Sequence, residues 1–244
     1  MTVREILKNI YGLDEEEISG KDVKFHESLI LHFKRKYGVE PGQAVSEENL
    51  KDLENRFGRI PDALREFYFL CGNNPKVLVG FQDDWFLPES FKKWDWTKNE
   101  KGLIIANENQ GVCQAIIREC DLVQENPPVY VTEVFENEEV CKPCTESVEV
   151  FIKAFLMYEG SLRMPYWNED FYFISEDEFE IIKSSFKEYD FKFENWIVDG
   201  AVRFFYDNPD SVICVMGDDL QLHYGARSKD SFERIDRLLA DFGK

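Results

Sequence analysis

Histidine is scarce in this chain, three in 244 residues, which leaves proton transfer near neutral pH few candidate groups. Cysteine is too sparse, at six, for a disulfide-stapled scaffold, and no apolar run approaches the roughly 18 residues that a membrane-crossing helix needs. The opening residues, Met1 to Lys8, lack the continuous apolar stretch of a secretory signal, so a cytoplasmic location is expected. Gly-x-Ser-x-Gly, a glycine-rich phosphate loop and His-Glu-x-x-His are all missing, and with them the common nucleophile, nucleotide and zinc-protease signatures. Positive charge is the largest deficit. Twenty-nine Lys and Arg face 48 Asp and Glu, a net charge of −19, which disfavours nucleic acid and anionic membranes and favours a basic partner, or no charged partner at all where the charge serves only solubility.

What is present in quantity is aromatic: 21 Phe, 10 Tyr and 5 Trp. Such rings dominate cores and interfaces alike, so their number does not choose between the two. With 43% hydrophobic and 32% charged residues the composition is that of a globular protein.

Hydrophobic spacing gives the organisation. Two helices are expected within residues 1–45, the second from His26 to Tyr37 with Leu29, Ile30 and Phe33 at helical spacing and Gly38 after it. Ser46 is a good N-cap for a helix bearing Leu50, Leu53 and Phe57, and Gly58 ends it. Pro61 opens the next at its first position, and Leu64, Phe67, Tyr68 and Cys71 form its stripe, which makes the pair an αα-hairpin. Strands are expected at Val77–Phe81, Leu103–Ala106, Val112–Arg118 and Val129–Val134, with a turn at Asn107–Gly111. A helix over Thr145–Tyr158 follows, then a helix near Ser175–Lys187. Strands near Val202–Phe205, Ser211–Val215 and Leu220–Tyr224 and a final helix capped by Ser228 complete the chain. The order predicts an α+β fold: a central, mainly antiparallel or mixed sheet flanked by helices, with N-terminal helices and a C-terminal α/β extension. The expected domains are an N-terminal helical extension at 1–45, a core at 46–160 and a C-terminal lobe at 161–244 packed on it.

The stretch Leu50-x-x-Leu53-Glu54-x-x-Phe57-Gly58-x-Ile60-Pro61-x-Ala63-Leu64-Arg65-x-Phe67-Tyr68 resembles the opening of the SUKH superfamily. Trp94-Asp95-Trp96, the run Ile104–Cys113, Asn126-Pro127-Pro128-Val129-Tyr130-Val131 and the helix Ser147–Leu156 continue the likeness in the same order, over roughly residues 46 to 158. Cys71-Gly72-Asn73-Asn74 departs from it, since many relatives show Asn-Gly directly at that point. The resemblance implies a SUKH-like α+β core without catalysis, and one of two roles. Bacterial members of the family are immunity proteins that neutralise toxins, often nucleases. Fungal members are regulators or scaffolds of cell-wall glucan synthesis. An acidic chain suits the first role, because a nuclease carries a basic cleft.

Several local constellations admit both a chemical and a plainer structural use. Cys141-Lys142-Pro143-Cys144 sits before an expected helix start, where a thiolate is stabilised, but a zinc site needs two further ligands, and neither Cys113 and Cys120 nor His26, His32 and His223 has ligand spacing. No metal and no cofactor is expected. Adjacent acids such as Asp83-Asp84, Asp218-Asp219 and Glu138-Glu139 are common among 48 acids, and a carboxylate-pair hydrolase ranks last among the functions. Asp83, Asp84, Trp85, Trp94, Asp95 and Trp96 mix acids with indoles, the chemistry of an interface hot spot for Arg or Lys; the alternative is that Trp94 and Trp96 include one core anchor and one partly covered ring. Asn109 and Gln110 form a polar tip before Gly111 and complete the candidate partner-binding set.

Overall fold

The computed structural model describes residues 1–18, 25–38, 40–42, 44–79, 82–88, 93–95, 101–135 and 138–243, and for 93–95, 133–135 and 138–140 it describes the backbone alone. The chain forms two compact units, one of Leu13–Ile152 and one of Met1–Gly12 with Lys153–Lys244. Both are α+β, and every strand pairing among the described residues is antiparallel.

Helix α1 (Val3–Asn9) belongs to the second of these units and opens on a reciprocal cap in which Thr2 and Glu5 each accept the other's backbone N–H. Residues 13–152 begin with α2 (Glu15–Ile18), α3 (Glu27–Tyr37), α4 (Glu47–Phe57), α5 (Asp62–Cys71) and α6 (Pro75–Leu78). Helix α2 is a single turn, and spacing of apolar residues does not reveal it; Asp14 and Glu17 fix it by exchanging backbone donors at 2.8 and 2.9 Å. The stripe expected on α5 is buried throughout, and Pro61 stands one position earlier than expected, at the N-cap. Helix α6 corrects the strand expected from Val77. Asn74 caps it by accepting from Lys76 N at 2.9 Å, and Pro75 enters the first turn without losing a hydrogen bond.

Six strands follow: β1 (Asp84–Trp85), β2 (Lys93–Asp95), β3 (Lys101–Asn107), β4 (Cys113–Arg118), β5 (Val129–Phe135) and β6 (Glu138–Thr145). They pair in the order β1-β3-β4-β5-β6, with β2 also on β3. Strand β6 carries Cys141-Lys142-Pro143-Cys144, so Cys144 lies in a strand and not at a helix start. Helix α7 (Val148–Ser161) comes next, and the division between the units falls within it. Its first residues are anchored by Val148 N donating to the Pro127 carbonyl at 2.7 Å.

Residues 153–244 add β7 (Tyr166–Trp167), β8 (Tyr172–Phe173), α8 (Glu176–Ser185), β9 (Lys187–Glu194), β10 (Ala201–Tyr206), β11 (Ser211–Met216), β12 (Gln221–Ala226) and α9 (Lys229–Leu239). The sheet runs β7-β12-β11-β10-β9, with β8 also on β12. Strand β9 alternates, with Tyr189, Phe191 and Phe193 buried. Phe179 and Ile182 of α8 and Ile235 and Leu239 of α9 bury against Phe205, Ile213, Val215, Leu222 and Tyr224 of the sheet. Removing such side chains from water stabilises a fold by about 1.5–3 kcal/mol each.

Candidate partner-binding surface

The structure brings part of the expected set together at one end of the sheet of residues 13–152. Strand β1 lies against β3 with Asp84 opposite Asn107 and Trp85 opposite Ala106, which sets the acids beside the 107–112 turn. Asp83 is 2% exposed, and its carboxylate accepts from Asn109 N at 3.2 Å. Asp84 reaches solvent and pairs with Lys36 Nζ at 3.2 Å. Asn109 and Gln110 are exposed. Trp94 and Asp95 lie in β2, Trp94 opposite Gly102 and Asp95 opposite Lys101, while Trp96 lies outside the described residues.

Trp85 is a core residue, and its place in a partner-binding set is corrected on that ground. Its indole is 2% exposed, 4.6 Å from the Phe67 ring and 6.2 Å from Phe151, and Nε1–H donates to Tyr68 Oη at 3.1 Å. Tyr68 Oη in turn donates to the Phe86 carbonyl. Glu108 is a residue that the sequence reading passed over. It is buried, and its Oε2 accepts from Gln110 N at 2.9 Å and Val112 N at 3.1 Å. Gly111 closes the turn at φ +73°, a conformation that costs a side chain about 1–2 kcal/mol. Two buried carboxylates therefore hold this tip rigid, and neither is free to meet a partner.

The six cysteines form no disulfide. Cys141 packs with Ile104, Ile116, Phe86 and Tyr130; Cys144 is buried, and Cys120 is exposed in the short turn after β4. Burial pushes the thiols of Cys71 and Cys214 well up from their ordinary range, which keeps them protonated. Among the described residues, no three His, Cys, Asp or Glu side chains gather as metal ligands.

A different feature stands out in residues 153–244. Tyr166 and Trp167 of β7 and Phe173 of β8 are 40%, 43% and 61% exposed, and Phe171 between the strands is 41% exposed. The two strands share one edge of β12, Tyr166 opposite Ala226, Trp167 opposite Gly225, Tyr172 opposite Leu222 and Phe173 opposite Gln221. Opposite Tyr224, where neither strand reaches, Asn168 serves instead: its N donates to the Tyr224 carbonyl at 3.1 Å and its Oδ1 accepts from Tyr224 N at 2.6 Å. Gly225 lets β7 lie this close, since a methyl there would stand 2.8 Å from Met164 Cβ and 2.9 Å from the Tyr166 carbonyl. Phe171 lies flat on His223, rings 4.8 Å apart, and Trp167 leans on the same imidazole at 6.0 Å. His223 is 1% exposed; its Nε2 contacts the Ser161 carbonyl at 3.0 Å, its Nδ1 has no hydrogen-bond partner, and burial lowers its pKa. From Met164 to Glu178 the chain holds five aromatics and five acids with no Lys or Arg, a local composition that separates this strip from the rest of the sequence.

No family model, curated protein or solved structure matches the chain. No helix among the described residues is long and apolar enough to cross a membrane.

Proposed function

We propose that this chain is a protein-binding module that docks a basic partner and acts by occupying its surface, as an immunity protein does when it blocks a nuclease-type toxin. The supporting observation is how its charge is used. Acids outnumber cations by 48 to 29, and many described cations are already matched to carboxylates: Lys34 to Glu40, Lys36 to Asp84, Arg65 to Glu54, Arg118 to Asp121, Arg203 to Glu188 and Arg234 to Asp207. The surplus presented to solvent is therefore negative. Such a field speeds encounter with a basic surface by about 10- to 1,000-fold and repels nucleic acid.

The nuclease-type toxin is the partner that the SUKH-type motifs imply. The test is to clone the open reading frame next to this chain's own and co-express the two; a neighbour that encodes no basic nuclease-type domain overturns the reading. Rescue of growth, together with a one-to-one complex of the purified pair, supports the reading. Growth arrest in the presence of folded protein, or two components that elute separately at physiological salt, overturns it.

A further inference from the structure

We infer that the strip formed by Trp167, Phe171 and Phe173, on the His223 face of the sheet, with Glu169 and Asp170 between them, is the face that receives an arginine-bearing segment of the partner. The inference rests on the basic-partner reading above and adds the place and the chemistry.

Three observations lead to arginine. The exposed rings offer π faces, and the acids in the same turn offer carboxylates within a stretch that has no cation of its own. A guanidinium can stack on an indole and pair with a carboxylate at once, while an ammonium is more strongly hydrated and lacks the planar fork. Beneath the rings lies His223, which burial keeps neutral, so no cation stands under the strip to repel a guanidinium.

The backbone argues for recognition by side chains. Strands β7 and β8 have two residues each and Asn168 bridges the gap between them, so the edge is too short and broken for a partner strand to add along it. The rings are nevertheless held in place, by β12 on one side and by the Phe171–His223 stack on the other, which limits the ordering cost on binding. A second copy of this chain is a poor occupant, because it would bring a net charge of −19 to a face already rich in acid.

The experiment is a fluorescence-anisotropy titration of the full chain into labelled nona-arginine and nona-lysine peptides. Saturable binding of nona-arginine is expected, with nona-lysine about fivefold weaker or more. Trp167→Ala, Phe173→Ser and the double change Glu169→Gln/Asp170→Asn should each weaken nona-arginine about tenfold, while Glu66→Gln, an exposed acid on α5, stays within about twofold. Unchanged thermal melts confirm that the variants fold, and Phe173→Ser keeps the test open should Trp167→Ala not fold. Nona-arginine binding that ignores all three strip variants overturns this inference and leaves the basic-partner reading standing. Failure of wild type to bind either peptide overturns both. A dimer in sedimentation that Trp167→Ala dissolves assigns the strip to a second copy and overturns the arginine assignment. Saturable binding of a β-glucan oligosaccharide, lost in Trp167→Ala, with no nona-arginine binding, overturns it in favour of a sugar platform.

Discussion

Two tryptophans that look alike in sequence, each next to an acidic pair and other aromatics, should behave in opposite ways when truncated. Trp85 is enclosed by Phe67 and Phe151 and hydrogen-bonded to Tyr68. Replacing it with alanine opens a cavity, which costs about 3–5 kcal/mol, and deletes a hydrogen bond with a net worth of about 1 kcal/mol. For a chain of 244 residues each kcal/mol moves the melting temperature by about 2–4 °C, so Trp85→Ala should melt roughly 8–24 °C lower. Trp167 is 43% exposed on a short edge strand. Trp167→Ala should change stability by no more than about 0.5 kcal/mol, or about 1–2 °C, and act on binding alone. Circular dichroism melts of both variants beside wild type, with nona-arginine titrations at a temperature where all are folded, give both readouts. The reasoning is refuted if Trp85→Ala melts with wild type and loses binding while Trp167→Ala collapses, because the assignment of core and surface would then be reversed.

Burial holds His223 below its ordinary pKa of 6.5. As pH falls past that value the unfolded chain takes up a proton that the folded one refuses, so stability should fall on acidification by at most about 1.4 kcal/mol per pH unit. His223→Gln should flatten melting temperature against pH between about 7 and 5.5; an unchanged slope would contradict the burial. Backbone donors from Ser175 hold Glu178 below the usual carboxylate range, and the backbone N–H of Thr2 does the same for Glu5, so their contributions are present above 4.5 and are lost only as pH falls further, outside the histidine window. Glu108→Ala strips Gln110 N and Val112 N of their acceptor and should cost about 2–3 kcal/mol, with faster hydrogen exchange at those two amides; unaltered exchange would show that the turn holds itself. Gly225→Ala forces a methyl against Met164 and the Tyr166 carbonyl and should cost about 1–3 kcal/mol while displacing β7, which a fall in nona-arginine affinity would report. Full affinity in that variant would contradict the role given to β7.

The helices with clear caps were legible from sequence because their signals are local: Ser46 before α4 and Ser228 before α9 each accept a backbone N–H as expected, and Ser175, the first residue of the stretch expected to be helical, caps α8 in the same way. The α+β class followed from the order of such segments. Helix α6 was misread because Val77 to Phe81 is apolar enough for a strand, and the deciding contact is the cap made by the preceding Asn74. Strands β6 and β9 were missed for different reasons: Cys-Lys-Pro-Cys disguised the first, and the second begins at Lys187, directly after α8. At the site, Asp83 and Asp84 read as equivalent, but pairing of β1 with β3 turns one carboxylate toward Asn109 N and leaves the other in solvent with Lys36. The aromatic strip had a visible signal, five rings and five acids without a cation over Met164–Glu178. Its exposure was not legible, because it depends on β7 and β8 being edge strands of a sheet completed by β12, some fifty residues later.

The rate at which the chain associates with labelled nona-arginine, followed by stopped-flow fluorescence across a range of salt, tests the central claim most directly. If surplus carboxylate steers docking, the association rate should fall by about tenfold or more from low to high ionic strength while dissociation changes little. An association rate indifferent to salt would contradict the account.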